Sequence, residues 1–463
     1  QQKIKPNEVI TTNKLLNLLD ADLMNDTYQE PDIMGMSIED KRFMEIANAK
    51  CSLIDGHFEL PLPLKTKNPQ MPFNRSQAER RTLGQKKKMR SNPGYHQEYT
   101  AFINNLLAQG HARELNNEEI PAEQGQVWYL PHHGVLHPTK RKLRVVFDCS
   151  AQYGGTSLNN ELLQGPHLTS TLLGVLLRFR KGRIAFMGDI ESMFHQVRVA
   201  KECQNFLRFL WWPDGNLEDE LHEYAMCVHL FGATSSPSIA GFALRKAADL
   251  AEEQVNKKIA EVIRHNFYVD DCLKSVDSID EAKTLVSDLK DGCMCGGFRI
   301  HKFSSNSKDL IKSIPMEDRA KDLQGRSLSI DDLPSERALG VIWDATRDVF
   351  TFELKPMTKQ STRRGLLSMI SSVYDPFGFI APFMLYGKKI LQDLCHENVS
   401  KDENLTEHYA RRWDDWKQQL DYLPHIQVRR SLKPASAEAE ITSKELHVFC
   451  DASNIGYGAV AFL

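Results

Sequence analysis

Several features that would assign the chain to other protein classes are missing from its 463 residues. No apolar run approaches the roughly 18 residues that a membrane-spanning helix needs, so no membrane partner is expected. The sequence begins at Gln1 without a Met or a signal-peptide pattern, and it ends at Leu463 inside an apolar run. We therefore expect a piece cut from a longer chain.

Paired cysteines are also missing. The nine cysteines are scattered, and the one close pair, Cys293 and Cys295, lacks the second pair that a zinc site needs. His132, His133 and His137 have no nearby cysteine or carboxylate to complete a ligand set, so structural roles are favoured for them over metal binding. The scattered thiols fit a reducing, intracellular compartment.

A large net charge of either sign is absent, since the formal charge is −3. The basic residues gather instead in three clusters. They are Arg75, Arg80, Arg81, Lys86, Lys87, Lys88 and Arg90; Lys140, Arg141, Lys142 and Arg144; and Arg178, Arg180, Lys181 and Arg183. Each cluster alone is as consistent with a solvated face as with a binding surface. Three of them in a near-neutral chain favour a focused positive field.

Apolar periodicity predicts a mixture of helices and strands. Helices are expected at residues 93–119, 168–179, 238–257, 279–290, 358–373 and 407–420. A further helix is expected after residues 374–378, running to about residue 395. Strands are expected at residues 143–148, 183–190, 207–212, 223–230, 339–343, 349–354, 446–450 and from 456 onward. Residues 1–84 contain short helical patterns and a proline-rich piece, and we see no chemistry in them.

Two adjacent carboxylates stand out in the segment Tyr268-Val269-Asp270-Asp271. Apolar residues lie on both sides, namely Val262, Ile263 and Phe267 before it and Cys272, Leu273 and Val276 after it. This pattern predicts a tight β-hairpin with the acids at its tip. Neighbouring anions repel, so a cation is the usual partner, and Mg²⁺ accepts a few carboxylates together with water and phosphates. Taken alone, the segment fits a solvated Asp-Asp turn better.

A third carboxylate, Asp189, ends the apolar strand expected at residues 183–190. Asp is depleted in strands, and metal ligation would explain its presence there. Between this strand and the hairpin, residues 231–237 read Phe-Gly-Ala-Thr-Ser-Ser-Pro. The small side chains would let a backbone or a base approach closely, and Pro237 suits a first helical turn. A plain strand-to-helix loop explains the segment equally well.

The order of these features resembles the palm of reverse transcriptases: a strand with Asp189, a Gly-Ser-Pro loop before a helix, and the Asp270-Asp271 hairpin. Further motifs look like the BEL/Pao group of LTR retrotransposons, and the resemblance covers nearly the whole chain. These motifs are residues 129–135, 143–148 and 374–378, and Asp451-Ala452-Ser453 with Gly456-Tyr457-Gly458, which is similar to the first strands of RNase H.

The resemblance implies an α+β fold of the right-hand polymerase type, with fingers, thumb and an antiparallel palm sheet, followed by the truncated start of an RNase H-like α/β domain. The expected division is an N-terminal extension at 1–84, fingers and palm at 85–345, a helical thumb or connection-like region at 346–440, and the first RNase H-like strands at 441–463.

The resemblance also assigns site residues. It makes Asp189, Asp270 and Asp271 the catalytic metal ligands, and it makes Asp451 the first RNase H metal ligand. The other RNase H acids are expected beyond the sequence, so that activity should be absent. The implied nucleotide-binding residues are Lys142, Arg144, Phe194, Gly232, Ser236, Pro237, Tyr268 and Lys302, and the implied primer-binding residues are Gly340 and Trp343. Among these, Arg144 with Lys142 would grip the triphosphate, Phe194 would gate the sugar, and Lys302 lies near a proton-donating position.

The implied activity is RNA-directed DNA polymerisation, a nucleotidyl transfer to a primer 3′-hydroxyl with two Mg²⁺ ions, for which Mn²⁺ can substitute. The implied partners are an RNA or DNA template with its primer, dNTPs and other segments of the same polyprotein, in a cytoplasmic virus-like particle. A decayed nucleic-acid-binding remnant is one alternative, although the intact acids argue against it. An aspartic-peptidase-associated segment is another, although the chain lacks the Asp-Thr-Gly or Asp-Ser-Gly that such an enzyme needs.

Overall fold

Helices and strands alternate irregularly along the chain, as the mixed α+β prediction requires. A computed structural model describes residues 35–120, 125–136, 142–323, 333, 335–353, 360–433, 443 and 445–463. Lys140, Arg141 and His137, together with parts of the elements expected at residues 349–354 and 358–373, lie outside these residues. Within the described residues no helix is both long and apolar enough to cross a membrane.

The first part of the chain is built from short strands and two longer helices. Its elements are α1 (Ile38–Lys50), β1 (Ser52–Ile54), β2 (His57–Leu60), α2 (Arg75–Ser91), α3 (Pro93–Ala108), β3 (Ala112–Glu114), β4 (His132–Leu136), β5 (Leu143–Phe147), α4 (Leu158–Glu161) and α5 (Leu172–Phe179). The Asn92 side chain accepts a hydrogen bond from the Tyr95 backbone N–H and caps α3, which therefore begins where it was predicted. It ends at Ala108 rather than 119, because residues 112–114 form a strand.

The middle of the chain carries the central sheet. Its elements are β6 (Ile184–Ile190), β7 (Arg198–Val199), β8 (Arg208–Trp211), β9 (His222–Met226), α6 (Ser236–Gln254), α7 (Lys257–His265), β10 (Phe267–Tyr268), β11 (Asp271–Val276), α8 (Ile279–Met294), β12 (Ile300–Ser305) and α9 (Lys308–Ser313). The central sheet has the strand order β10-β11-β6-β12 and is antiparallel throughout. Buried residues of α6, α7 and α8 share one hydrophobic core with it.

One correction concerns the residues before the Asp-Asp hairpin. The sequence predicts Val262 and Ile263 in the hairpin and a single helix over residues 238–257, but residues 257–265 form the separate helix α7. The Asn256 side chain accepts a hydrogen bond from Ile259 N–H and caps this helix. Ile259, Val262 and Ile263 recur at helical spacing and are all buried. The first strand of the hairpin is therefore only Phe267–Tyr268.

The last part of the chain has a second antiparallel sheet and a group of helices. Its elements are β13 (Ser335–Ala338), β14 (Val341–Asp344), β15 (Val349–Thr351), α10 (Arg363–Ile370), α11 (Ala381–His396), α12 (Glu407–Leu420), β16 (Val428–Arg429), β17 (His447–Ala452) and β18 (Tyr457–Phe462). The second sheet has the order β13-β14-β15-β16. Helix α12 has the predicted bounds, because buried Tyr409, Trp413 and Trp416 lie on one face. Gly340 lies in the turn between β13 and β14, not in a strand.

The expected domain boundaries do not coincide with breaks in the packing. Residue 84 lies inside α2, and residue 345 separates β14 from β15, which pair in one sheet. Phe43 and Phe58, from the expected N-terminal extension, lie in the same hydrophobic core as the central sheet. The proposed division of the chain remains a prediction.

A buried arginine joins the last part of the chain to the central core. The Arg430 side chain has no exposed surface. It donates two hydrogen bonds to the carboxylate of Asp348, at 2.6 and 2.8 Å, and others to the backbone carbonyls of Phe179 and Arg183. Phe179 ends α5, whose residues Val175, Leu176 and Phe179 belong to the core of the central sheet. One guanidinium therefore holds β15, β16 and α5 together.

We expect Arg430→Met to lower the free energy of unfolding by about 3–5 kcal/mol, because removing one partner of a buried ion pair strands the other partner and the two carbonyls. The matched control is Arg429→Met, since the neighbouring Arg429 side chain is exposed. Urea denaturation checks both variants. Equal midpoints for Arg430→Met and wild type would show that this junction contributes nothing to stability.

Candidate metal centre

Three carboxylates converge at the end of the central sheet. Asp189 in β6 lies directly opposite Asp271, the first residue of β11, in the antiparallel register. Asp270 precedes Asp271 in the hairpin turn. One carboxylate oxygen from each residue can be chosen so that all three lie within 4.8 Å of one another. The structure thus brings together the three acids that the sequence analysis singled out.

The turn geometry allows two consecutive acids to face the same point. Successive side chains of a strand point to opposite faces, so both can face Asp189 only if one of them lies outside the strand. Val269 has a φ of +55°, a conformation that costs a β-branched residue on the order of 1–3 kcal/mol. The Asp270 carbonyl accepts a hydrogen bond from Ile190 N–H at 2.8 Å, which ties the turn to β6.

The electrostatics of the three acids favour a bound cation. Burial, followed by the charges of Asp270 and Asp189, raises the pKa of Asp271 to about 7. Burial, followed by the charge of Asp189, also raises the pKa of Asp270. Carboxylate oxygens are the ligands that Mg²⁺ and Mn²⁺ prefer, and a divalent cation would relieve this repulsion. The donor set therefore fits a divalent metal.

A lysine lies against the acids from the neighbouring strand. The pairing of β12 with β6 shifts register between His301 and Ser304, and Lys302 in this bulge has a φ of +53°. Its ammonium group forms an ion pair with Asp189. His301 lies opposite Asp189, with Nε2 3.9 Å from Oδ2 of that carboxylate. Sequence reasoning missed His301, because its position depends on a strand register that a single sequence does not reveal.

An ion-pair network supports the end of β6 that carries Asp189. Arg299 donates to the Glu191 carboxylate at 2.6 Å and to the Asp318 carboxylate at 2.7 Å. Lys290 of α8 donates to the second oxygen of Asp318 at 2.5 Å. Glu191 N–H also donates to the Arg299 carbonyl. These bonds connect β6, α8 and the segment leading into β12 next to the acids.

Phe194 lies in the short 3-10 helix Met193–Gln196, just past the end of β6. It is half-buried, and its ring centroid is 4.5 Å from that of Phe231, which is 52% exposed. Gly232 has a φ of +108°, and a Cβ there would lie 3.0 Å from the Phe147 carbonyl oxygen. Asn159 donates to the Gly232 carbonyl and fixes the loop. The loop therefore lies between Phe194 and the end of β5.

The other residues of this loop differ in exposure. Pro237 is exposed in the first turn of α6, as predicted. Ser236 is 1% exposed, so its hydroxyl is closed off from a nucleotide and any contact there would involve the backbone. Tyr268 is half-buried and pairs with Asp271 across the hairpin.

Arg144 lies on a different sheet, formed by β4 and β5, and Lys142 directly precedes β5. Both are exposed, and Arg144 pairs with Val135. The far end of β5 reaches the Gly232 loop through Phe147. Arg81 of α2 donates to the Asp148 carboxylate at 2.8 Å and so ties this end of β5 to α2.

The two residues expected to bind a primer, Gly340 and Trp343, differ in their exposure to solvent. Gly340 has a φ of +90° in an exposed turn. Trp343 has no exposed surface, and its Nε1–H donates to Asp348 at 3.0 Å. A direct contact between the Trp343 indole and a primer is therefore excluded, because the side chain is packed against the edge of Phe179.

Two further candidates lie outside this centre. Asp451 is exposed in the β17–β18 hairpin, and among the described residues it belongs to no group of three potential metal ligands. His132 is buried between the Tyr99 hydroxyl and the Leu210 carbonyl, and burial lowers its pKa to about 4. The expected structural role of His132 is confirmed.

Comparison with known proteins gives one family match, in the C-terminal part of the chain. Residues 362–463 match the family model described as Pao retrotransposon-like RNaseH-like domain. For this segment, which contains α10, α11, α12 and the β17–β18 hairpin, the resemblance to the BEL/Pao group is confirmed. No curated protein matches the chain.

Among solved structures, the chain is similar to a foamy viral protease-reverse transcriptase dRH, determined in complex with double-stranded DNA. The sequence identity is 14%, the TM-score is 0.48, and the alignment covers 100% of this chain and 70% of that chain.

We expect Asp271→Asn to stabilise the metal-free protein more at pH 8 than at pH 5. The pKa of Asp271 is raised from 3.8 to about 7, so the folded state binds the proton more tightly than the unfolded state does. Stability from this group is therefore present at low pH and is lost as the pH rises from about 4 to about 7. The gain from Asn should be roughly 2–4 kcal/mol at pH 8 and about a third of that at pH 5, since each pKa unit corresponds to about 1.4 kcal/mol.

Thermal unfolding in EDTA at the two pH values checks this expectation. Adding Mg²⁺ at pH 8 should raise the melting temperature of wild type and leave that of Asp271→Asn unchanged, because a ligand stabilises only the state that binds it. A variant less stable than wild type at pH 8 would contradict the repulsion inferred here.

Proposed function

We propose that the chain is the RNA-directed DNA polymerase segment of a retrotransposon polyprotein. The observation that carries this proposal is the convergence of Asp189, Asp270 and Asp271 on one point from two paired strands. In this assignment the central sheet is the palm, the β4–β5 hairpin with α2 and α3 belongs to the fingers, and α10 to α12 form the thumb or connection-like region.

In the proposed mechanism Asp189, Asp270 and Asp271 would hold two divalent cations, Mg²⁺ or in its place Mn²⁺. The bound cations would lower the pKa of the primer 3′-hydroxyl and stabilise the leaving pyrophosphate. The hairpin keeps Asp270 and Asp271 facing Asp189, so no rearrangement of the backbone is needed when substrate arrives. Lys302, which pairs with Asp189, is the proposed donor of a proton to the departing pyrophosphate.

The proposed nucleotide site extends from the acids toward β5. Arg144, with Lys142, would fork onto the triphosphate, because a guanidinium presents paired donors that match phosphate oxygens. The Gly232 loop would contact the base pair through its backbone, and Pro237 and Tyr268 would border it. Support comes from the position of this loop between Phe194 and the end of β5.

The proposed partners are a template–primer duplex, dNTPs and other segments of the polyprotein. Lys87, Lys88 and Arg90 are exposed on α2 and would bind template phosphates. The Gly340 turn would contact the primer, and the buried Trp343 in β14 would hold this turn in place. Asp451 is proposed as the first RNase H metal ligand, and a cytoplasmic virus-like particle is the proposed location.

A decayed, nucleic-acid-binding remnant is the alternative. It would keep the basic surfaces but would not need an intact metal site. The raised pKa of Asp271 favours retention of function, because three converging carboxylates are unfavourable without a ligand.

We expect Asp270→Asn and Asp189→Asn to abolish primer extension on poly(rA)–oligo(dT) with Mg²⁺ while changing template–primer affinity only a few fold. Both residues would bind metal rather than DNA. Glu397→Gln is a control carboxylate, which lies on the helical region and bonds Tyr409. Primer extension at a near wild-type rate by Asp270→Asn would contradict the polymerase assignment.

Phe194→Val should admit ribonucleotides while largely keeping dNTP incorporation. In the proposed site a ribose 2′-hydroxyl would meet the Phe194 ring, and a buried hydroxyl without a partner costs roughly 1–3 kcal/mol. The selectivity for dTTP over UTP should therefore fall by about tenfold or more, since each 1.4 kcal/mol is about tenfold.

A purely structural Phe194 predicts a different outcome, namely lower thermal stability and equal losses with both sugars. Phe186→Val is the control for that outcome, because Phe186 is fully buried in β6. Steady-state incorporation of dTTP and UTP, compared with the melting temperature of each variant, separates the two roles.

A further inference from the structure

The segment Tyr374-Asp375-Pro376-Phe377-Gly378 connects α10 to α11 and is held rigidly. Asp375 accepts hydrogen bonds from the backbone N–H groups of Phe379 and Ile380, at 3.0 and 2.8 Å. The Phe377 ring stacks on Phe379, with centroids 4.9 Å apart. This turn therefore presents its first residue, Tyr374, in a defined position.

Contacts with Phe350 and Arg180 hold the same turn against the rest of the protein. The Phe377 ring lies 5.6 Å from that of Phe350 in β15. The Arg180 guanidinium lies 5.4 Å from the ring centroids of both Phe377 and Phe379, and it donates to the carbonyls of two residues in and after β16. Burial, followed by the charge of Arg430, lowers the pKa of Arg180 to about 10. These contacts fix the position of the turn relative to the central core.

Tyr374 packs against the Gly340 turn. A Cβ at Gly340 would lie 2.9 Å from Cε1 of the Tyr374 ring. The ring therefore packs directly on the Gly340 backbone, and a side chain at residue 340 would collide with it. Tyr374 is nevertheless 46% exposed. Among the described residues its hydroxyl has no hydrogen-bond partner. An exposed aromatic ring held in one orientation, with a donor available, is a suitable contact for a nucleic-acid strand.

Tyr374 also lies near the hairpin that carries the acids. After burial, the interaction with Tyr268 is the second cause that raises the pKa of Tyr374. Tyr268 in turn pairs with Asp271 in the hairpin. Tyr374 therefore lies beside the Gly340 turn and near Tyr268, the residue that pairs with Asp271.

We propose that Tyr374 contacts the primer strand next to its 3′-terminal nucleotide, with the ring against the sugar and the hydroxyl donating to a primer acceptor. This proposal rests on the proposed polymerase function. It assigns a role in holding the primer to the motif at residues 374–378, outside the central sheet.

Binding and kinetics of two substitutions test the contact. Tyr374→Ala should weaken template–primer affinity by about tenfold, in line with the loss of one aromatic contact, and should raise the KM for template–primer. The KM for dNTP should stay within about twofold. Tyr374→Phe keeps the ring and should bind template–primer about threefold more weakly than wild type, as expected for the loss of one hydrogen bond. The control is Tyr422→Ala, a tyrosine that is 67% exposed after α12, which should behave as wild type.

Crosslinking gives a readout that does not depend on activity or on the stability of the variants. A primer with 5-iododeoxyuridine at its terminal or penultimate position, bound to wild type without metal, should crosslink to the peptide that contains Tyr374. The crosslink should disappear in Tyr374→Ala. If wild type extends primers but gives no crosslink there, and Tyr374→Ala binds as wild type, the contact is overturned. If wild type crosslinks at Tyr374 but never extends a primer, the contact stands and the polymerase function fails.

Discussion

Mutual repulsion among three carboxylates is the constraint on which the proposed site depends. The β6–β11 register sets Asp271 opposite Asp189, and the turn with its positive φ at Val269 adds Asp270. Burial, followed by the charges of Asp270 and Asp189, raises the pKa of Asp271 to about 7. Lys302 offsets part of this repulsion through its ion pair with Asp189. An arrangement that is unfavourable by itself and is still imposed by the backbone is typical of a ligand site.

The surrounding structure keeps the backbone in this arrangement. Helices α6, α7 and α8 share one buried core with the central sheet. The network from Glu191 through Arg299 to Asp318 ties β6 to the segment before β12. Further away, Arg430 and Arg180 attach the C-terminal segment to the same core with guanidinium groups that bond to backbone carbonyls. A motion of that segment would therefore have to break buried charge-assisted bonds.

Local patterns predicted part of this arrangement. The strand ending near Asp189, the hairpin with its paired acids and the bounds of α12 follow from apolar periodicity and turn residues. Helix α7 was missed, because a short apolar run before a hairpin fits a strand and a helix equally well until the Asn256 cap is weighed. His301 opposite Asp189 and the burial of Trp343 depend on strand register and long-range packing, which no local pattern contains. The role of Phe194 stays a prediction, since a half-buried ring fits both a gate and a core position.

The most direct test of the metal centre is anomalous diffraction from crystals of the chain with a template–primer, a non-reactive dNTP analogue and Mn²⁺. Two Mn²⁺ peaks bridged by the carboxylates of Asp189, Asp270 and Asp271, with Lys302 displaced from Asp189, are the expected result. Crystals that contain the bound duplex but show no Mn²⁺ between these acids would contradict the account.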